Sequence, residues 1–200
     1  MSRRIGLLTG TFDPIHFGHT ELAEAALSVF GLERVLIWLN AEAPHKVGVT
    51  PHDQRLAMAK LATAGNGRVQ VYAGEFSNQP HNMRTFLKMA GSCPDAQLGY
   101  IVGADTFANV YRWDEIQSVV KHTTFLLAER GSKRASLVVQ ELRERLGPLG
   151  EQLRVEVFEF TGHDAASSLG VRAQLAAGER PAAVDPRVYE YIATNGLYRR

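Results

Sequence analysis

Two histidines three residues apart, His16 and His19, follow a short apolar run near the start of the chain. If a helix begins around Phe17, both rings project to one side of its amino terminus, beside its free amides and the positive end of its dipole. Amides, dipole and imidazole donors together make a site for an anion such as a phosphate. In the same string, Gly10 permits close approach of the backbone, and Gly18 leaves room between the rings for a phosphate or a base.

The ordinary alternative is a glycine-containing turn whose two polar histidines cap a helix. A zinc site is disfavoured, because no third ligand stands at a suggestive spacing and Cys93 is the single cysteine of the sequence. We therefore expect an anion site here, with no metal ligands among the site residues.

Further polar side chains come directly after later apolar runs. Lys46 follows the second run and Asp105 the fourth, where they would meet a phosphate and a ribose hydroxyl. Ser167, Ser168 and Arg172 stand at a predicted helix start, where hydroxyls and a guanidinium can hold phosphates. Taken singly, each also fits a structural part, as a solvated lysine, a helix cap or a surface arginine.

Two residues carry weaker signals. Trp113 could form the wall of a pocket for an aromatic ring, although a lone tryptophan on an amphipathic helix more often belongs to the core. Arg130, just after the fifth apolar run, is a candidate for binding a second phosphate. Neither residue decides the chemistry alone.

The elements that must position these groups alternate between short apolar runs and amphipathic segments. Strands are predicted over 5–8, 35–39, 69–72, 98–102, 123–127 and 153–160. Helices are predicted over 21–30, 51–64, 85–90, 107–119, 136–146, 168–177 and 186–194, and Thr50 is the expected cap of the second. Such alternation predicts parallel strands joined by right-handed crossovers. The fold class is therefore α/β, a doubly wound, Rossmann-like parallel sheet with helices on both faces, in a single domain over residues 1–200.

The composition excludes several classes of protein. Lys and Arg number 22 against 21 Asp and Glu, and the resulting net charge of +1 argues against a nucleic-acid partner. The 45% hydrophobic content argues against disorder. No run reaches the roughly 18–20 apolar residues that a membrane helix needs, and one cysteine suits a reducing compartment. We expect a cytoplasmic protein without a membrane partner.

The string over residues 11–19, Thr-Phe-Asp-Pro-Ile-His-Phe-Gly-His, resembles the signature of nucleotidyltransferases that carry the (H/T)xGH motif. This version is similar to that of the bacterial nicotinate mononucleotide adenylyltransferases. Residues 44–46, 103–105 with Trp113 downstream, and 191–198 support the resemblance in order and spacing. The resemblance extends over essentially the whole chain.

The resemblance implies that the chain joins ATP and nicotinate mononucleotide to give nicotinate adenine dinucleotide and pyrophosphate, in NAD biosynthesis. It also implies Mg²⁺, bound mainly through the ATP phosphates. The implied catalytic residues are His16, His19, Lys46 and Arg172. Those implied for ATP are Gly10, Thr11, Phe12, Ile15, His16, Gly18, His19, Gly103, Asp105, Ser167, Ser168 and Arg172. Those implied for the mononucleotide are Asp13, His45, Lys46, Thr85, Trp113 and Arg130.

Two stretches depart from the family's pattern. The late Ser-Ser-Thr-x-Ile-Arg motif has Leu169 in place of its threonine, and over 79–86 the substrate loop matches only at Thr85. One alternative is therefore a related nucleotidyltransferase that uses nicotinamide mononucleotide or another phosphate acceptor. A second is a catalytically inactive nucleotide-binding protein. The oligomeric state stays open, with a homo-oligomer among the alternatives.

Overall fold

The computed structural model describes residues 3–40, 48–72, 95–113, 116–129, 134–163 and 166–199. Its strands are β1 (Arg3–Gly10), β2 (Arg34–Leu39), β3 (Val69–Val71), β4 (Ala96–Gly103), β5 (Thr124–Glu129) and β6 (Arg154–Glu159). Its α-helices are α1 (Phe17–Val29), α2 (His52–Thr63), α3 (Ala104–Phe107), α4 (Ile116–His122), α5 (Ala135–Leu146), α6 (Ser168–Ala176) and α7 (Pro186–Thr194). Short 3-10 helices cover Val110–Arg112 and Gly147–Gln152.

The strands form one parallel sheet in the order β3-β2-β1-β4-β5-β6. In the register of this sheet, Leu7 of β1 lies between Leu36 of β2 and Tyr100 of β4. The chain begins in the middle and winds outwards in both directions, so the strand order reverses between β1 and β4. The predicted doubly wound α/β fold is confirmed, and this reversal is where such sheets bind ligands.

Successive strand residues point to opposite faces, and each face has its own core. Leu8 and Ile101 pack with α1, α2, α6 and α7, whereas Leu7 and Tyr100 pack with α3, α4 and α5. Since both faces are covered, the central strands are apolar on both sides. None of the helices in the described part of the chain has the length and hydrophobicity of a transmembrane span.

The predicted helix over 107–119 is wrong: the chain there forms α3, a 3-10 helix and then α4. The Asn109 side chain donates to the Asp105 carbonyl oxygen, and Trp113 adopts an extended conformation with its ring against Tyr100 and Phe125. A local side-chain hydrogen bond and tertiary packing therefore override the helical pattern.

The start of α2 also differs from its prediction. Thr50 makes no side-chain cap, and its backbone N–H instead donates to the carboxylate of Asp13. Pro51 is the cap residue, and the helix begins at His52. The predicted helix over 85–90 lies outside the described residues.

Candidate active site

A cleft of about 770 Å³ opens at the carboxyl ends of β1 and β4, where the strand order reverses. The loop after β1 forms one wall, the start of α6 another, and the end of β4 with the start of α3 a third. Of the predicted site residues, the cleft is lined by Gly10, Thr11, Phe12, Asp13, His16, Gly18, His19, Gly103, Asp105, Ser167, Ser168 and Arg172. Predicted residues from three separate segments of the sequence thus meet at one site.

Phe12 shapes the loop after β1. Its φ of +49° lies in the left-handed region, which a non-glycine residue adopts at a cost of roughly 1–3 kcal/mol. Its ring is buried, packs edge-on against the His19 ring and fills the space beside Gly10, where an added Cβ would lie 2.9 Å from it. Gly10 therefore makes room for a protein side chain, which adds a reason for the glycine beyond the predicted approach of a phosphate.

The two histidines of the motif meet at the amino end of α1, as predicted. Their ring centroids are 3.7 Å apart, and His16 is the residue immediately before the helix. The His16 backbone N–H donates to Nδ1 of His19 over 3.3 Å. When His19 is neutral, this bond places its proton on Nε2, so that Nε2 is a hydrogen-bond donor. The first turn of α1 holds no acidic residue, which leaves the positive end of its dipole for a ligand.

Gly18 lines the cleft, and a contact between two protein segments gives a further reason for the glycine. A Cβ there would lie 2.5 Å from the backbone oxygen of His163, so the chain after β6 leaves no space for a side chain at this position. Glu21 fastens that segment by accepting from the His163 backbone N–H at 2.7 Å and by contacting its Nδ1 at 2.8 Å. The glycine thus allows two protein segments to approach each other.

The start of α6 is tied to the loop after β1. Ser167 caps the helix by accepting from the Gly170 N–H over 3.1 Å. The Ser168 hydroxyl donates to the carbonyl oxygen of Pro14 over 2.9 Å. Arg172 Nη1 donates to the backbone oxygen of Asp13 over 2.6 Å. These bonds bring the second group of phosphate-binding candidates to the same cleft as the histidines.

The third wall combines a glycine with acidic and hydroxyl groups. Gly103 is the cap residue of α3, and Asp105 is exposed in the first turn of this helix, two positions beyond the cap, so it is not the helix cap that its sequence suggested. Beneath them, the hydroxyls of Thr9 and Tyr100 share a hydrogen bond. Burial raises the pKa of the Tyr100 phenol well above its ordinary value, although the Thr9 hydrogen bond acts to lower it. Tyr100 therefore remains a neutral hydroxyl in this wall.

Residues 7–177 match the family described as cytidylyltransferase-like. The chain belongs to the cytidylyltransferase-like family. It is 34% identical to a protein of Symbiobacterium thermophilum over 98% of this chain and 96% of the relative, and 33% identical to one of Thermus thermophilus over 98% and 100%. Both relatives carry the name probable nicotinate-nucleotide adenylyltransferase, and at this identity the chain groups with the nicotinate-nucleotide adenylyltransferases.

Solved structures with a similar fold agree with this family assignment. The structure of Plasmodium falciparum nicotinic acid mononucleotide adenylyltransferase complexed with NaAD superposes with a TM-score of 0.80, over 98% of this chain and 97% of that one, at 17% identity. A second structure of that enzyme, complexed with APC, gives a TM-score of 0.76 at 16% identity. At such identities the likeness supports the fold.

Some predicted site residues lie away from this cleft. Ile15 is fully buried in the core with α1, and its side chain does not line the cleft. The half-buried Trp113 packs against Tyr100 and Phe125 and is absent from the cleft lining, as its core alternative suggested. The remaining predicted residues lie outside the described part of the chain: His45, Lys46, Thr85 and Arg130.

The Asp13 carboxylate, predicted to meet the mononucleotide, faces protein donors. Asp13 is buried, and its Oδ1 accepts a hydrogen bond from the Tyr198 hydroxyl over 2.6 Å. Oδ2 accepts from the Thr50 N–H over 3.4 Å and lies 4.0 Å from Arg172 Nη1. Asp13 therefore connects the loop after β1 to three other segments.

Arg55 supports the loop after β1, although no signal in the sequence singles it out. It is 2% exposed, and its Nη1 donates to the backbone oxygens of Thr11 (2.7 Å) and Asn40 (2.9 Å), while Nε donates to that of Thr50 (2.8 Å). Burial lowers the pKa of this guanidinium, and the charge of Asp13 opposes the change. Arg55 fixes the loop after β1 to the end of β2, although in the sequence it looks like any arginine of an amphipathic helix.

Proposed function

We propose that the chain transfers the adenylyl group of ATP to nicotinate mononucleotide, forming nicotinate adenine dinucleotide and releasing pyrophosphate. The observation that carries this proposal is the meeting of two helix amino termini, those of α1 and α6, on one cleft at the switch point of the sheet. Two such ends suit a chain of phosphates, and the names of the full-length relatives supply the acceptor.

In the proposed reaction, a phosphate oxygen of the mononucleotide attacks the α-phosphorus of ATP in line. The new bond joins the two nucleotides, and the bond from the α-phosphorus to the oxygen that bridges it to the β-phosphate breaks. A phosphate monoester is already a competent nucleophile, so the step needs neither a protein base nor a covalent intermediate. The protein's part is positioning and charge neutralisation.

We assign the residues of the two helix ends to different parts of ATP. His16 and His19 contact the ATP phosphates, and Nε2 of His19 donates to the group that is transferred. Arg172 and the backbone start of α6 at Ser168 hold the leaving pyrophosphate. Asp105 accepts from a ribose hydroxyl. Lys46, placed by its sequence position after β2, orients the attacking phosphate.

Magnesium fits this cleft as part of the MgATP substrate. Both Asp13 oxygens already accept protein donors, and the described residues contain no cluster of three or more His, Cys, Asp or Glu side chains that could enclose an ion. The ion would neutralise charge on the phosphates that hold it. The proposal includes a cytoplasmic reaction, which the single cysteine favours.

The test is pyrophosphate release from ATP and Mg²⁺, with nicotinate and nicotinamide mononucleotides offered in parallel. The proposal expects at least about 10-fold higher kcat/KM for the acid, a difference of about 1.4 kcal/mol. Preference for the amide would keep the chemistry and change the acceptor. No pyrophosphate with either acceptor, from protein that binds ATP, would contradict the proposed reaction.

A further inference from the structure

We propose that Tyr198, after the end of α7, is a positioning residue for the phosphate end of the cleft. It holds the Asp13 carboxylate, and through it keeps Arg172 directed to the cleft. This inference rests on the proposed function, because its main readout is the binding of ATP and pyrophosphate.

The first observation is the environment of the carboxylate. The Asp13 side chain is 7% exposed, so its charge needs hydrogen-bond donors within the protein. Within the part of the chain that the structure describes, Tyr198 supplies the shortest hydrogen bond to this carboxylate, at 2.6 Å to Oδ1, and the Thr50 N–H donates to Oδ2 over 3.4 Å. Burial of the phenol, together with this hydrogen bond, raises the pKa of Tyr198 far above its ordinary value, so it remains a donor.

The second observation is the backbone of Tyr198 itself. Its φ of +60° is left-handed, a conformation that a non-glycine residue keeps only where its surroundings impose it. The preceding turn is closed by a hydrogen bond from the Leu197 N–H to the Ile192 oxygen over 3.0 Å. The chain thus turns sharply after α7, and the turn delivers the phenol to Asp13.

The third observation is the position of Arg172. Its Nη1 donates to the Asp13 backbone oxygen over 2.6 Å, yet lies 4.0 Å from the carboxylate Oδ2. If the Tyr198 hydroxyl were lost, the buried carboxylate would need another donor, and among the described residues this guanidinium is the one cation within 4.0 Å of it. Moving it by about 1 Å would make a direct charge-assisted pair of about 2.9 Å and draw the guanidinium away from the cleft. Tyr198 prevents that competition.

The test compares Tyr198→Phe with Tyr191→Phe, a matched loss of a phenolic hydroxyl on α7. We measure kcat and KM for ATP, the inhibition constant of pyrophosphate, and thermal stability. Tyr198→Phe is expected to raise KM for ATP and the pyrophosphate inhibition constant about 10-fold, with a smaller change in kcat. Tyr191→Phe is expected to change each by less than about 2-fold. Lower thermal stability with unchanged ATP and pyrophosphate constants would leave Tyr198 a purely structural residue and overturn the inference.

A second comparison uses Asp13→Asn, which keeps an oxygen for the tyrosine and removes the charge that competes for Arg172. In this background, Tyr198→Phe is expected to change KM for ATP by less than about 2-fold, because coupled residues are not additive. An undiminished 10-fold effect would show that Tyr198 does not act through Asp13. If Tyr198→Phe fails to fold, Asp13→Asn alone decides: we expect calorimetric ATP affinity within about 3-fold of wild type, and a larger loss overturns the inference. A wild-type protein that binds ATP without turnover would contradict the proposed function instead.

Discussion

The two helix amino termini that share the cleft are built in different ways. At α1, the groups that would meet phosphate are rings packed into the protein, and His16 is 5% exposed. At α6, Leu169 is 71% exposed and the Arg172 side chain 35% exposed. The α6 groups are held in place by backbone oxygens of the loop that precedes α1, namely those of Asp13 and Pro14. The α1 end is therefore the fixed part of the site, and the α6 end takes its position from the loop before α1.

This difference predicts two kinds of mutational effect. A group fixed by packing before the substrate arrives costs little reorganisation during the reaction, so its loss should mainly reduce the rate. A group held by a few hydrogen bonds to a neighbouring loop should mainly affect how tightly the phosphates bind.

The largest effect is expected at the packed end, for His19→Ala. Removing the Nε2 donor should lower kcat by about 10²–10³, as for other preorganised donors. His122→Ala, on an exposed side of α4, is the matched control and should leave kcat unchanged. Near-normal turnover of His19→Ala in the pyrophosphate assay would remove the proposed distinction between the two helix ends.

Arg172→Lys should have a smaller effect at the α6 end. A lysine cannot donate to the Asp13 backbone oxygen and to a phosphate with the fork geometry of a guanidinium, so KM for ATP should rise about 10-fold. Arg180→Lys, exposed beyond α6, should change it by less than about 2-fold. If only kcat fell, Arg172 would act on the rate of the reaction, as the histidines at the α1 end are expected to do.

Much of this division could be predicted from the sequence, because each helix end is encoded within one short string. His16 and His19 are three residues apart, and periodic apolar runs on either side of them specified the sheet and its switch point. The supports could not be predicted in the same way, since they are contacts between distant segments. Arg55 reaches a residue 44 positions away and Tyr198 one 185 positions away. The position of Trp113 likewise depends on tertiary packing, because its ring contacts Phe125 where a continuous helix was predicted.

The support of the α6 end should depend on a proton that Tyr198 holds. Burial and the Asp13 hydrogen bond raise the pKa of this phenol above its ordinary value of 10.0. Its contribution to stability is complete below about pH 10, and it declines at higher pH because the unfolded chain releases the proton first. The free energy of unfolding should therefore fall by up to about 1.4 kcal/mol per pH unit above pH 10 from this residue.

Urea unfolding between pH 8 and 11 measures this slope, and Tyr198→Phe should make it shallower. Tyr100, whose pKa is also raised by burial, remains in both proteins, so the difference between the two slopes belongs to Tyr198. Identical slopes would mean that the phenol does not hold its proton more tightly in the folded protein.

Ser168→Ala should give a modest effect, although the residue lies at the cleft. Its hydroxyl proton is committed to the Pro14 oxygen, so the side chain offers a phosphate less than its position in the motif suggests. We expect KM for ATP to rise about 3-fold and the free energy of unfolding to fall by about 1 kcal/mol. The Ser136→Ala variant on α5 is the control for both measurements. A 100-fold loss of kcat would show that the hydroxyl leaves Pro14 and acts on the substrate.

Leu169→Thr should have the smallest effect, even though it restores the residue of the family's pattern. The neighbouring Ser167 already caps the Gly170 N–H, so the helix start does not need a hydroxyl at 169. The leucine is 71% exposed, so little packing is lost, and water competes for any new hydroxyl contact. KM for ATP should change by less than about 2-fold, as it should for Leu137→Thr at a similarly exposed position of α5. A 10-fold lower KM for ATP would mean that the α6 end binds phosphate through position 169. A 10-fold higher KM for ATP would mean that the leucine packs against the bound nucleotide.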